Sequence, residues 1–182
     1  FRLAGQTPYD YFLFKSYSTR DGLSSYYSRK VAEDKFGFIW IGTAGGLNRY
    51  DGYRFKKYYH SNKDSNSLVN NGVQTIFCDS KGRLWICTED GVSCFVTVEN
   101  WFINYSTRSK AGYRLRNNTS VRVYEDEQGA IWLTNQNEVL CKVLPDLSLE
   151  EYPVRTTPFQ FFNIRTDGYI GIIRDQRGRE WA

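Results

Sequence analysis

Short runs of alternating apolar and polar residues, broken by polar turns, recur along the whole chain. The clearest set starts at Val73. Val73 to Cys78 has the β-branched and aromatic content of a strand, Asp79-Ser80-Lys81-Gly82 is turn chemistry, and Arg83 to Thr88 returns as a second strand. Asp90-Gly91 then predicts a two-residue hairpin, Val92 to Phe95 a third strand, and Trp101 to Tyr105 a fourth. The preceding stretch matches element by element, with Val31 to Asp34, Phe38 to Thr43, a Gly45-Gly46 hairpin, Leu47 to Tyr50 and Arg54 to Tyr59. A third copy uses Gln136-Asn137 at the hairpin and supplies outer strands at Val139 to Val143 and Leu149 to Tyr152.

These copies share the spacing Asp-x-x-Gly-x-x-Trp: Asp34, Gly37, Trp40; Asp79, Gly82, Trp85; Asp126, Gly129, Trp132; and Asp175, Gly178, Trp181. The tryptophans are 45, 47 and 49 residues apart, a period at which four-stranded all-β units stack as propeller blades. The expected fold is therefore all-β, with blades of four antiparallel strands forming part of a propeller. The expected organisation is an outer strand and lead-in at 11–30, blades at 31–60, 73–105 and 121–152, and the start of a fourth at 169–182. In each motif Asp accepts backbone hydrogen bonds in the turn, Gly supplies an unusual dihedral, and Trp packs between blades. Aspartates one blade apart cannot converge on one substrate, so the motif is expected to be structural.

Composition narrows the functional classes. With 24 basic and 20 acidic residues scattered along 182 positions, the chain lacks the basic stripe of a nucleic-acid binder. No apolar run reaches the ~20 residues of a membrane-spanning helix. The chain begins at Phe1 and contains no Met, which suits a mature segment or a piece of a longer protein.

Catalytic signatures are thin. His60, the single histidine, sits in a polar stretch that reads as an inter-strand loop, which leaves no His-based triad and no multi-His metal site. Glu89-Asp90 and Glu125-Asp126-Glu127 read as turn and surface carboxylates, so neither catalytic residues, nor a metal, nor a cofactor is expected. Cys78, Cys87, Cys94 and Cys141 lack a Cys-x-x-Cys spacing. If Asp90-Gly91 were the two-residue turn, Cys87 would fall opposite Cys94, where a cross-strand disulfide competes with burial of two free thiols.

The stretch from Asp34 to Gly52, containing Trp40-Ile41-Gly42-Thr43 and Leu47-Asn48-Arg49-Tyr50, resembles the two-component regulator propeller repeat. The lead-ins Tyr17 to Ser25 and Asp64 to Asn71 are similar to those of the same family. The pattern departs where Cys87 replaces Gly, at Trp132-Leu133-Thr134, and where Glu180 precedes Trp181. What the resemblance implies is a periplasmic sensor segment of a hybrid two-component receptor in the inner membrane, detecting oligosaccharides from polysaccharide breakdown. It also implies a homodimeric parent receptor whose histidine kinase lies elsewhere. Two alternatives stand beside it: a protein-interaction or dimerisation propeller without a ligand, and a glycan-cleaving propeller.

Propeller topology would gather the blade-linking loops and the second hairpin of each blade on one rim. That rim holds the expected ligand-binding residues Tyr26, Tyr27, Arg29, Asn70, Asn71, Asn117, Asn118 and Asn135, with Ser25 and the Glu89-Asp90 hairpin beside them. Aromatic faces beside amides and Arg suit sugars, whereas turn preference alone also accounts for the asparagines.

Overall fold

A computed structural model of the chain describes residues 15–96, 99–118, 121–134, 139–153, 173–174 and 180–181. The first sheet contains β1 (Ser28–Glu33), β2 (Ile39–Thr43), β3 (Gly46–Tyr50) and β4 (Phe55–Tyr58). The second contains β5 (Val73–Cys78), β6 (Leu84–Thr88), β7 (Gly91–Val96) and β8 (Trp101–Tyr105). The third contains β9 (Arg122–Glu125), β10 (Ile131–Thr134), β11 (Val139–Val143) and β12 (Leu149–Pro153). In each sheet the strands follow one another in chain order and every pair is antiparallel. A short pair, β13 (Ile173–Arg174) and β14 (Glu180–Trp181), follows. No α-helix occurs among the described residues, where the single helical element is a 3-10 turn at Thr19–Asp21. The Tyr11 to Phe14 part of the expected outer strand, Asn135, and Asp175 and Gly178 of the fourth motif lie outside the described residues.

The repeated Asp-Gly-Trp residues close the turn between the first two strands of each sheet. In the first, Asp34 Oδ1 accepts the backbone N–H groups of Phe36 and Phe38, while Oδ2 accepts the Trp40 indole N–H at 2.7 Å. Asp79 repeats this with Lys81, Arg83 and Trp85, and Asp126 with Gln128, Ala130 and Trp132. The glycines of these turns lie at φ 81, 77 and 75°, a region where a side chain is strained. Each carboxylate thus ties a tight turn to a buried ring, and its charge, buried at Asp34 and Asp79 and half-buried at Asp126, is satisfied by several donors at once.

Adjacent sheets pack face to face around two apolar clusters. Trp40, Leu47 and Leu68 meet Ile76, Leu84, Ile86, Phe95 and Phe102 between the first and second sheets. Trp85, Cys87, Val92, Cys94 and Tyr105 meet Leu115, Val121, Ile131, Leu133, Cys141 and Val143 between the second and third. The Trp40 and Phe95 rings lie 5.2 Å apart across the first of these junctions. Close approach is also built in through Gly42, where an added Cβ would fall 2.5 Å from Val73 Cγ1. At the Gly42 position of the next sheet stands Cys87, which stays in regular pairing and is buried against the third sheet.

The hairpin register corrects the expected opposition of Cys87 and Cys94. The two turn residues are Glu89 and Asp90, so Thr88 pairs with Gly91, Cys87 with Val92, and Trp85 with Cys94. The Thr88 hydroxyl sets this register, donating to the Gly91 carbonyl at 2.9 Å and accepting the Asp90 N–H. Thr43 and Gly46 do the same in the first sheet. Diagonal partners sit ~7–8 Å apart on a sheet face, beyond the usual disulfide span, and all four cysteines are free thiols.

Burial pushes the Cys87 and Cys94 thiols up to about 12 and that of Cys141 up to about 11. Titration of the native protein with a thiol reagent at pH 8 is therefore expected to leave these three unmodified and to reach all four cysteines in denaturant. Because an unfolded thiol ionises near ~8.5, their contribution to stability is complete below that pH. It is lost as pH rises toward the folded values.

Candidate functional site

The loops entering β1 and β5 and the hairpins after β2 and β6 meet at one end of the sheets. Ala44 N–H donates to the Tyr27 carbonyl at 3.1 Å, and Glu89 N–H donates to the Gly72 carbonyl at 3.0 Å. Deeper in each junction, the third strand receives the incoming loop, through Ser24 N–H to Asn48 Oδ1 and Val69 N–H to Ser93 Oγ. The rim is thus stitched to the sheets by backbone bonds, which makes it a rigid platform.

Two β-bulges shape this platform. Register shifts between Ser28 and Lys30 and between Val73 and Thr75 leave Arg29 and Gln74 as the extra residues of the innermost strands. A bulge re-aims its side chain, and both of these reach the same carboxylate: Arg29 Nη1 lies 3.0 Å and Gln74 Nε2 lies 3.1 Å from Glu89 Oε1. The Arg29 guanidinium also stands 5.7 Å from the centre of the Tyr27 ring. Tyr26 and Tyr27 remain 88% and 59% exposed, so their faces are open to a ligand. The structure therefore brings together Tyr27 and Arg29, and adds Glu89 and Gln74. Gln74 was not among the candidates, because a bulge depends on pairing that the sequence does not display.

The asparagines have local work. Asn70 Oδ1 accepts the Gly72 N–H, and Asn71 Oδ1 accepts the His60 N–H at 2.6 Å. Asn118 Oδ1 accepts the Thr107 N–H at 2.6 Å in the equivalent position of the next junction, with Asn117 preceding it in that loop. Asn118 Nδ2 donates to Asp90 Oδ1 at 2.6 Å, and Arg108 pairs with the same carboxylate. Asn70 and Asn71 belong to one junction and Asn118 to the next, so the rim is a series of stations, one per blade junction.

The other titratable groups are held individually. Glu89 and Asp90 face different cations, Arg29 and Arg108. Glu125 accepts the Ser80 N–H at 2.9 Å and pairs with the Ser80 hydroxyl. His60 lies in the loop as expected, with Nδ1 donating to the Leu68 carbonyl at 2.7 Å and Nε2 2.9 Å from the Asn62 side chain. Among the described residues, no group of three His, Cys, Asp or Glu side chains is placed to hold a metal ion.

The two-component regulator propeller model matches residues 22–45 and 67–90, each match running from a lead-in loop to the hairpin after the second strand. Histidine kinase P4 of Formosa agariphila is 44% identical over 57 residues, which cover 31% of this chain and 4% of that protein. The extracellular domain of a hybrid two-component system from B. thetaiotaomicron superposes with a TM-score of 0.60 at 24% identity, covering 91% of this chain and 22% of that one. Virginiamycin B lyase from Staphylococcus aureus shares the fold at a TM-score of 0.50 and 15% identity, over 71% of this chain and 42% of its own. The chain thus spans a small part of the proteins it matches most broadly in kind. With four-stranded antiparallel sheets in series this is a β-propeller chain, and its residues 22–45 and 67–90 are similar to the two-component regulator propeller repeat.

Proposed function

We propose that this chain is an extracytoplasmic sensor segment of a hybrid two-component receptor, periplasmic and carried by an inner-membrane protein whose kinase lies in other parts. Its ligand is an oligosaccharide released by polysaccharide breakdown. The observation that carries the reading is the pairing of two exposed tyrosines, Tyr26 and Tyr27, with the Arg29–Glu89–Gln74 hydrogen-bonding group on a bulge-shaped rim. Tyrosine faces stack on the C–H surface of a pyranose, and the polar group offers both donors and acceptors to its hydroxyls. The repeats at 22–45 and 67–90 and the kinase similarity support the signalling context. Carboxylates ion-paired one by one favour binding over bond cleavage.

Calorimetry against a panel of neutral and acidic oligosaccharides tests this. Saturable binding without product is expected, with Tyr27→Ala weakening it by about tenfold, or ~1.4 kcal/mol. Release of shorter saccharides would establish a glycan-cleaving enzyme instead.

Dimerisation of the receptor has a different candidate surface. The opposite end of the first sheet exposes Phe36 and Tyr53, at 58% and 95%, in its two outer turns. A second copy docking there would leave the tyrosine rim free for ligand.

A further inference from the structure

The loops that cross between sheets can be compared with one another. The loop from β4 to β5 and the loop from β8 to β9 have the same anchors: Asn71 and Asn118 accept equivalent backbone N–H groups, and Leu68 and Leu115 are buried at equivalent positions. Each loop also covers an outward N–H of the next outermost strand, through Asn66 Oδ1 to Phe102 and through the Gly112 carbonyl to Leu149. Their charges differ completely. Residues 59–71 contain one Lys and one Asp, whereas residues 106–118 contain Arg108, Lys110, Arg114 and Arg116 with no acidic residue. The same crossover is made without these cations in the first loop, so the fold does not require them.

The basic loop borders a cleft of about 530 Å³ lined by Thr107, Arg114, Leu115, Arg116, Leu149 and Glu151. At the equivalent place in the preceding junction, Asn104 donates to the Ser67 carbonyl and accepts from the Ser93 hydroxyl, so the outer strand meets the incoming loop through neutral hydrogen bonds. Here Glu151 occupies the Asn104 position and is paired with Arg116 at 2.8 Å. Arg108 is paired with Asp90, and Lys110 lies over the Tyr113 ring. Arg114 Nε donates to the Ser109 carbonyl at 3.0 Å, which holds the guanidinium at the cleft while its terminal nitrogens have no acidic partner among the described residues. The cleft is therefore a volume of small-ligand size with an excess of positive charge, a planar fork donor and the Thr107 hydroxyl.

We propose that this cleft binds an anionic group, a carboxylate or a sulfate, with Arg114 as the principal donor. Planar donors of this kind match both groups in bidentate geometry. Thr107 is hydrogen-bonded to Asn118, so the cleft continues the rim. That the group is carried by an oligosaccharide rests on the sensor reading; the site then selects an acidic or sulfated saccharide over a neutral one.

Titration of the isotope-labelled protein with galacturonate, inorganic sulfate and galactose, followed by nuclear magnetic resonance, tests the site. Saturable shifts of the Arg114 Nε–H and Thr107 amide signals are expected with galacturonate or with sulfate, and the anion that produces them identifies the group. Galactose should give none. Arg114→Gln, at an exposed position, should weaken anion binding at least tenfold with the rest of the spectrum unchanged, and Arg114→Lys should retain part of it. Absence of saturable shifts with both anions, or shifts that survive Arg114→Gln, would overturn the proposal. If the anions bind as expected but no oligosaccharide does, the anion site stands and the oligosaccharide reading fails.

Discussion

Trp85→Ala is expected to lower stability by about 4 kcal/mol, the usual cost of truncating a buried Trp. The ring is fully buried, stacks on Tyr105 at 5.8 Å, and joins the cluster between the second and third sheets. It also donates its indole N–H to Asp79 Oδ2 at 2.9 Å. Truncation therefore opens a cavity at a sheet junction and removes one donor from a buried carboxylate. Asp79 would keep the Arg83 guanidinium at 2.6 Å and two backbone N–H groups, so the loss should come mostly from packing. Trp85→Phe separates the two contributions, with only about 1–2 kcal/mol expected from the missing hydrogen bond to the carboxylate. Denaturant unfolding followed by circular dichroism measures both. A loss below 1 kcal/mol for the alanine variant would mean that the junction does not depend on this ring.

Gly91→Ala should cost about 3 kcal/mol, from backbone strain and overpacking together. Gly91 lies at φ 117°, and an added Cβ would sit 2.4 Å from the Tyr105 carbonyl oxygen. Because the obstacle is backbone, it cannot swing aside. Gly52 is the matched control, with φ 95° but open space around it, so Gly52→Ala should show only the strain, about 1 kcal/mol. The difference between the two melting midpoints isolates the close approach. Equal losses would show that dihedral strain alone governs both sites.

The candidate rim was legible in outline because loop and hairpin placement follows from strand order. Its partnerships were less so. Glu89 and Asp90 are adjacent and chemically alike, yet one binds Arg29 and Gln74 and the other binds Arg108 and Asn118. That division comes from alternation at the hairpin and from two bulges, neither of which leaves a mark in residue type. Asn70, Asn71 and Asn118 lie in the blade-linking loops, and their oxygens are spent on backbone N–H groups of those same loops.

What the sequence determined by itself was the repeat: Asp, Gly and Trp recur at fixed offsets because one turn and one buried ring need all three within seven residues. Local chemistry of that kind survives reading in one dimension. The tertiary structure alone decided the register at Thr88 and Gly91, the bulges at Arg29 and Gln74, and the cleft beside Arg114. Each depends on which strand lies opposite and on what the neighbouring sheet leaves unfilled, and those are relations between residues far apart in the chain.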